Sequence, residues 1–163
     1  MGSGKTTAGK KLAAMLDYTF IDLDSMIESE TDHSIVEWFS QGEARFREIE
    51  TLVLKQTGDF KNAVISTGGG TPCFHENMAW MKENGLTVYL KLSPGSLFHR
   101  LAASKEKRPL LTGKTDLELM EYITESLNER EYFYSQAHYV IKGENLDVKS
   151  LLDEINNGES QLR

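Results

Sequence analysis

Apolar residues recur along this chain in two rhythms, and the switches between them mark its elements. Leu12, Ala13 and Leu16 share one face at helical spacing, which predicts an amphipathic helix from about Lys5 to Leu16. At Asp17 the rhythm changes to Tyr18-Thr19-Phe20-Ile21-Asp22, an aromatic and β-branched run that predicts a buried strand. Ser34 to Phe39 predicts a short amphipathic helix closed at Gly42, where a longer helix carrying Phe46, Ile49 and Val53 opens. Ala63-Val64-Ile65-Ser66 predicts a second strand, followed by a helix over about Phe74 to Asn84 that stops at Gly85. Leu86 to Leu92 is the clearest strand of the chain, and Pro94 begins a helix carrying Leu97, Arg100 and Leu101. Asp116 is expected to cap a helix to about Tyr132, before a last strand at Tyr139-Val140-Ile141 and a closing helix from Leu146 to Ile155. The polar tail from Asn156 to Arg163 is expected to fray. Strands alternating with helices predict an α/β fold with parallel pairing and helices on both faces.

Composition narrows this picture. A length of 163 residues and 39% hydrophobic content suit a single domain with a sizeable core. A formal net charge of -7 argues against a general binder of nucleic acid, whose affinity comes from clustered Lys and Arg. Basic residues are therefore expected to gather locally, around an anionic small molecule. Cys73, the only cysteine, has no partner for an intrachain disulfide, and no apolar run is long enough for a membrane span or a signal peptide. The expected state is a cytoplasmic monomer without nucleic-acid or membrane partners.

The opening residues Gly2-Ser3-Gly4-Lys5-Thr6-Thr7 carry the most specific chemistry. They fit the second half of the phosphate-loop pattern G-x-x-x-x-G-K-[ST], in which backbone N–H groups cradle phosphates, the lysine reaches the outer ones and the hydroxyl meets Mg²⁺. The bland alternative is a flexible glycine-serine leader before a basic helix. The leading glycine and a buried strand before it are absent from the sequence. Met1 is accordingly expected to be an internal methionine, with a short apolar strand ending in Gly-x in frame just upstream.

Asp22 and Asp24, two apart at a strand end, are expected to emerge together as Mg²⁺ partner and base; otherwise Asp24 begins a helix, with Ser25 and Glu28 as a capping box. Arg47 lies one turn from both Glu43 and Glu50, so the residues by themselves favour a solvated lattice of ion pairs over the sharper reading, a fork for a substrate carboxylate. Gly68, Gly69 and Gly70 follow a strand, where close approach to a ligand is the expected reason for three glycines. Cys73 is expected to be a packed thiol, and His75 a surface residue of the next helix. The basic stretch from Ser104 to Thr115, with Arg108, suits either a mobile flap over phosphates or an ordinary solvated loop.

Taken in order, Gly-Ser-Gly-Lys-Thr-Thr, Phe-Ile-Asp-Leu-Asp, Gly-Glu-Ala-Arg-Phe-Arg-Glu-Ile-Glu, Ser-Thr-Gly-Gly-Gly, Arg-Pro-Leu-Leu and Glu-Arg-Glu-Tyr-Phe-Tyr resemble the shikimate kinase family from Met1 to about Ile141. The resemblance implies a three-layer P-loop NTPase fold like that of nucleoside monophosphate kinases, with a parallel sheet ordered 2-3-1-4-5 whose first strand is missing here. It implies transfer of the γ-phosphoryl group of ATP to the 3-hydroxyl of shikimate, on the route to chorismate and the aromatic amino acids. By resemblance, Gly2, Ser3, Gly4, Lys5, Thr6 and Thr7 bind ATP, with Lys5 on its outer phosphates, Thr6 and Asp22 serving Mg²⁺, and Asp24 accepting the substrate proton. Arg47 and Arg130 match carboxylate-binding arginines, Glu50 the acid that orients Arg47, and Gly68, Gly69 and Gly70 a shikimate-contacting loop. Arg108 resembles a lid arginine on the phosphates and Arg100 a residue flanking adenine. One domain over 1–163 follows, with substrate-binding helices over about 24–58 and a lid over about 104–116. Glu131-Tyr132 departs from the family's usual Ala-Pro. A gluconate kinase of the same fold, or a nucleotide-binding module without turnover, are the alternatives.

Overall fold

The computed structural model describes residues 2–103 and 114–161. Helix α1 (Lys5–Leu16) starts after Gly4, which holds a left-handed conformation at φ 88°, and ends where the Asp17 N–H donates to the Ala13 carbonyl. It leads into β1 (Thr19–Asp22), which pairs in parallel with β2 (Ala63–Ser66), setting Phe20 beside Val64 and Asp22 beside Ser66. Between them run α2 (Leu23–Thr31), α3 (Ile35–Ser40) and α4 (Glu43–Gln56). Their apolar faces close one core around Leu23, Ile27, Trp38, Phe46, Val53 and Leu54. Ser34 begins α3 with a capping box completed by Glu37, so this short helix has a defined start without much length.

The second half repeats the arrangement. α5 (Asn77–Asn84) precedes β3 (Val88–Lys91), which pairs in parallel with β4 (Tyr139–Lys142) and sets Leu90 beside Ile141. α6 (Pro94–Ala102), α7 (Asp116–Tyr134) and α8 (Val148–Gln161) complete the described chain. Ala8 and Leu12 of α1 join Leu90, Leu97, Leu101, Ile123, Ile141 and Leu151 in a second core. α1 meets the first strand pair as well, because Gly9 lets it lie against Phe20: a Cβ there would stand 2.8 Å from the Phe20 ring. Parallel pairing and interleaved helices thus follow the expected α/β pattern.

Among the described residues β2 and β3 are not paired with each other; a cavity of about 530 Å³ lies between them. All four residues of β2 and Val88, Tyr89 and Leu90 of β3 line it. Successive residues of a strand face opposite ways, so such consecutive runs mean that the strand edges themselves front the cavity. The two pairs are those that the order 2-3-1-4-5 leaves on either side of its central place.

Several expectations need correction. Asp24 is not on a strand: the strand stops at Asp22, whose side chain caps α2 by accepting from the Ser25 N–H, and Asp24 lies in the first turn. No Ser25–Glu28 box forms, since Glu28 instead accepts from the Ile35 N–H. Thr115 rather than Asp116 caps α7, because its side chain accepts from the Glu118 N–H while Glu118 reaches back. The capping geometry needs an extended residue before the first turn, and Asp116 is already helical. The clearest strand is shorter than its apolar run, spanning Val88–Lys91, and the helix after the glycines begins only at Asn77, leaving His75 exposed in the preceding turn at φ 47°. The tail does not fray from Asn156; α8 continues to Gln161.

Candidate active site

The N-terminus of α1 is built to receive an anion. Gly4 supplies no side-chain cap, and there is no acidic residue in the first turn, so its leading N–H groups point outward beside Lys5. Arg100 of α6 pins the loop in front: its Nη1 donates to the Ser3 carbonyl at 2.9 Å and its Nη2 to the Gly143 carbonyl at 3.1 Å. Gly2, at φ 66°, lies against Leu101. Thr6 and Thr7 are exposed, and the Thr6 hydroxyl donates to Asp22 Oδ2 at 3.2 Å. The end of β1 and the start of α1 therefore present a hydroxyl and a carboxylate side by side, a pair of hard oxygen donors suited to Mg²⁺.

Asp24, in the first turn of α2, opens onto the same cleft and keeps an exposed side. Its carboxyl is pushed above the ordinary Asp value, first by the loss of surrounding water, then by Asp22 and Glu50, with Lys5 opposing. A carboxylate so raised, yet next to the phosphate-loop lysine, has the character of a proton acceptor.

Beyond Asp24 lies a dry, charged pocket. Arg47 of α4 is 7% exposed and Glu50 1%, so the expected solvated lattice holds only in part: both ion pairs form, the one to Glu50 inside the protein and the one to Glu43 at its edge, where the Glu43 side chain stays exposed. Arg47 Nη1 donates to Glu50 Oε2 at 2.7 Å, while its Nε and Nη2 donate to Glu43 Oε1 at 3.2 and 2.9 Å. The guanidinium lies near the rings of Phe74, Phe46 and Phe39, at 4.5, 5.0 and 5.5 Å from their centroids. The other Glu50 oxygen accepts from the Thr71 hydroxyl at 2.6 Å, and Asn77 Nδ2 holds the Thr71 carbonyl at 2.9 Å. Each charged group is thus satisfied by partners, as burial demands.

The triple glycine makes this approach possible. A Cβ on Gly70 would stand 2.5 Å from Arg47 Nη2, and one on Gly68 would meet Thr71 Oγ1, Glu50 Oε1 and Asp24 Oδ1 at 3.0, 3.1 and 3.4 Å. Close approach, not an unusual dihedral angle, is what these two positions require. Gly69 contributes its carbonyl, which accepts from the Tyr134 hydroxyl at 2.5 Å.

Arg130, half-buried on α7, faces the same place from the other side. Burial disfavours its charge, but the Tyr134 hydroxyl and Cys73 beside it outweigh that and raise its pKa. Burial also pushes the Cys73 thiol up, against the pull of Arg130 and Arg47, so Cys73 is a packed thiol lying within the field of both guanidiniums. The structure therefore brings together Asp24, Lys5, Arg47, Glu50, Gly68, Gly70 and Arg130, the last through Cys73 and Tyr134. Arg108 and most of the expected lid lie outside the described residues. Thr71, Tyr134 and the Phe39–Phe46–Phe74 ring set escaped sequence reasoning; only the position of Tyr134, one turn after Arg130, offered a signal.

Comparison with known proteins places this geometry. A family profile described as Shikimate kinase matches residues 1–157. A shikimate kinase of Bacteroides fragilis is 46% identical over 164 aligned positions, covering 100% of this chain and 90% of the relative. The crystal structure of shikimate kinase from Bacteroides thetaiotaomicron superposes with a TM-score of 0.91 at 43% identity, covering 98% of this chain and 94% of that one. A second, shikimate kinase from Acinetobacter baumannii in complex with shikimate, gives a TM-score of 0.85 at 32% identity, covering 97% and 89%.

Proposed function

The chain belongs to the shikimate kinase family, with its P-loop NTPase fold, and we propose that its cleft carries out the family reaction with the residues just described. The enzyme transfers the γ-phosphoryl group of ATP to the 3-hydroxyl of shikimate, giving shikimate 3-phosphate and ADP. Shikimate is an anionic ring with several hydroxyls, and two guanidiniums suit its carboxylate, each charge-assisted bond contributing roughly 1.5–3 kcal/mol. Arg47, held by Glu50, and Arg130 take that role, with Gly68, Gly69 and Gly70 along the ring. Asp24 accepts the hydroxyl proton as the oxygen forms its bond to the γ-phosphorus and the bond to the β-phosphate oxygen breaks, releasing ADP.

On the nucleotide side, Gly2 to Thr7 cradle the phosphates, with Lys5 on the outer ones. Thr6 and Asp22 would hold Mg²⁺, which when bound would supply positive charge to offset that of the phosphates. Arg100 borders the adenine while anchoring the loop, and Arg108, outside the described residues, is assigned to the phosphates by the family resemblance alone. Residues 24–58 form the acceptor-binding helices of a single domain acting as a cytoplasmic monomer. Among the described residues no helix is long and apolar enough to cross a membrane.

The observation that carries this reading is the convergence of Asp24, Glu50 and Arg47 on Gly68 and Gly70. It is tested by ADP release with shikimate, gluconate or no acceptor. Release only with shikimate supports it; equal release with gluconate favours a broader acid-sugar kinase, and no release with any acceptor favours a nucleotide-binding module.

A further inference from the structure

Tyr134 occupies a place that the reaction as described leaves unused. It ends α7 one helical turn after Arg130, on the same side of the helix. A tyrosine hydroxyl has one hydrogen to give and two lone pairs to accept with. Here the hydrogen goes to the Gly69 carbonyl at 2.5 Å, 65 residues away in sequence, and the oxygen interacts with the Arg130 guanidinium. Burial pushes the phenol's pKa up against the pull of Arg130, so the proton that holds Gly69 stays in place.

The ring is held from behind. Tyr89 of β3 packs against it at 4.9 Å between centroids. The Tyr89 hydroxyl donates to Glu131 Oε2 at 3.1 Å, and Lys91 pairs with the other Glu131 oxygen. Glu131 is the neighbour of Arg130, so both faces of this helix end are fastened, one to β3 and one to the glycine loop.

We propose that Tyr134 is a positioning residue for the acceptor: its hydroxyl ties the glycine loop to Arg130, so that two segments distant in sequence meet the substrate in one fixed arrangement. The inference rests on the functional reading above, which gives Arg130 the acceptor carboxylate. An arginine fork is effective only when its plane is set in advance, because orienting it on binding costs side-chain entropy. Losing the hydroxyl frees both the fork and the loop while leaving the ring packed on Tyr89.

The test is a double-mutant cycle in the full-length protein: Tyr134→Phe, Arg130→Ala and the pair, each assayed for KM of shikimate, KM of ATP, kcat and melting temperature. Tyr134→Phe is expected to raise the shikimate KM about tenfold, equivalent to ~1.4 kcal/mol, with kcat and the ATP KM within about twofold of the parent. On the Arg130→Ala background the same change is expected to add less than about twofold, since the hydroxyl then has no fork to orient. Hydrogen exchange supplies a second readout, with faster exchange expected at residues 67–71 in Tyr134→Phe. A shikimate KM unchanged by Tyr134→Phe but raised by Arg130→Ala overturns the proposal and leaves the functional reading standing. An unchanged KM in Arg130→Ala overturns both. A fall in melting temperature with no separate effect on the shikimate KM reduces Tyr134 to a packing role and likewise overturns the proposal.

Discussion

The two halves of the cleft are built on opposite terms. The acceptor side is dry and cross-braced: Arg47, Glu50, Thr71 and Asn77 are all buried and joined by hydrogen bonds from α4 through the glycine loop to α5. The phosphate side is open, with Thr6 and Thr7 exposed and the helix N-terminus uncapped. On the proposed assignment of the two sides, the contrast follows from the ligands. A small rigid ring gains most from forks already set in place, whereas a triphosphate brings its own charge and metal to an N-terminus that needs only be left free. Asp24 stands at the join, within the field of Glu50 on one side and Asp22 and Lys5 on the other.

Substitutions separate the two halves. The largest effect is expected at the join, where Asp24→Asn lowers kcat by roughly 10²–10⁴-fold while leaving the ATP KM nearly unchanged, as steady-state kinetics will report. Next is the dry side. Arg47→Ala leaves Glu50 buried without its cation, so denaturant unfolding should show a loss of about 3–5 kcal/mol alongside a raised shikimate KM. Thr71→Val removes one bond to the same carboxylate, with an expected loss of roughly 1.5–3 kcal/mol and a smaller rise in shikimate KM. The open side behaves differently: Asp22→Asn keeps the α2 cap, since Asn serves there as well as Asp, but weakens the oxygen pair. The Mg²⁺ concentration for half-maximal rate should rise while stability stays within about 0.5 kcal/mol. If Asp22→Asn unfolded the protein as readily as Arg47→Ala, the distinction between a braced and an open half would fail.

What the sequence revealed divides along the same line. The phosphate loop is local, six consecutive residues entering a helix, so its pattern and place were legible together. Arg47 was legible only as a residue with two acidic neighbours. Whether that trio is wet or dry depends on Phe74 and Gly70, which arrive from more than twenty positions away, and helical periodicity carries no information about them. The pairing of Asp22 with Asp24 was found for a reason that does not hold. They are neighbours because β1 turns directly into α2, with Asp22 as its cap, not because they alternate along one strand. The triple glycine was recognised as a place of close approach, but what approaches first is the protein's own guanidinium. Tyr134 went unnoticed since an aromatic residue at a helix end is ordinary until the carbonyl it meets is known.

Linkage ties Asp24 to both activity and stability. Its raised pKa means that the folded protein resists the charge that the proposed proton transfer requires, so above that pKa the ionised carboxylate costs stability. Asp24→Asn should therefore melt slightly higher than the parent at neutral pH, the gain kept small by solvent screening at this exposed residue, and the advantage should vanish as pH falls through the folded pKa toward the ordinary Asp range.

The pH dependence of kcat/KM for shikimate, in the parent and in Asp24→Asn, tests the central claim most directly. The parent should lose activity on the acid side along a limb lying above the ordinary Asp pKa, and the variant's much smaller rate should lack that limb. An identical acid limb in both proteins, or a variant retaining the parent's rate, would contradict Asp24 as the group that takes the proton.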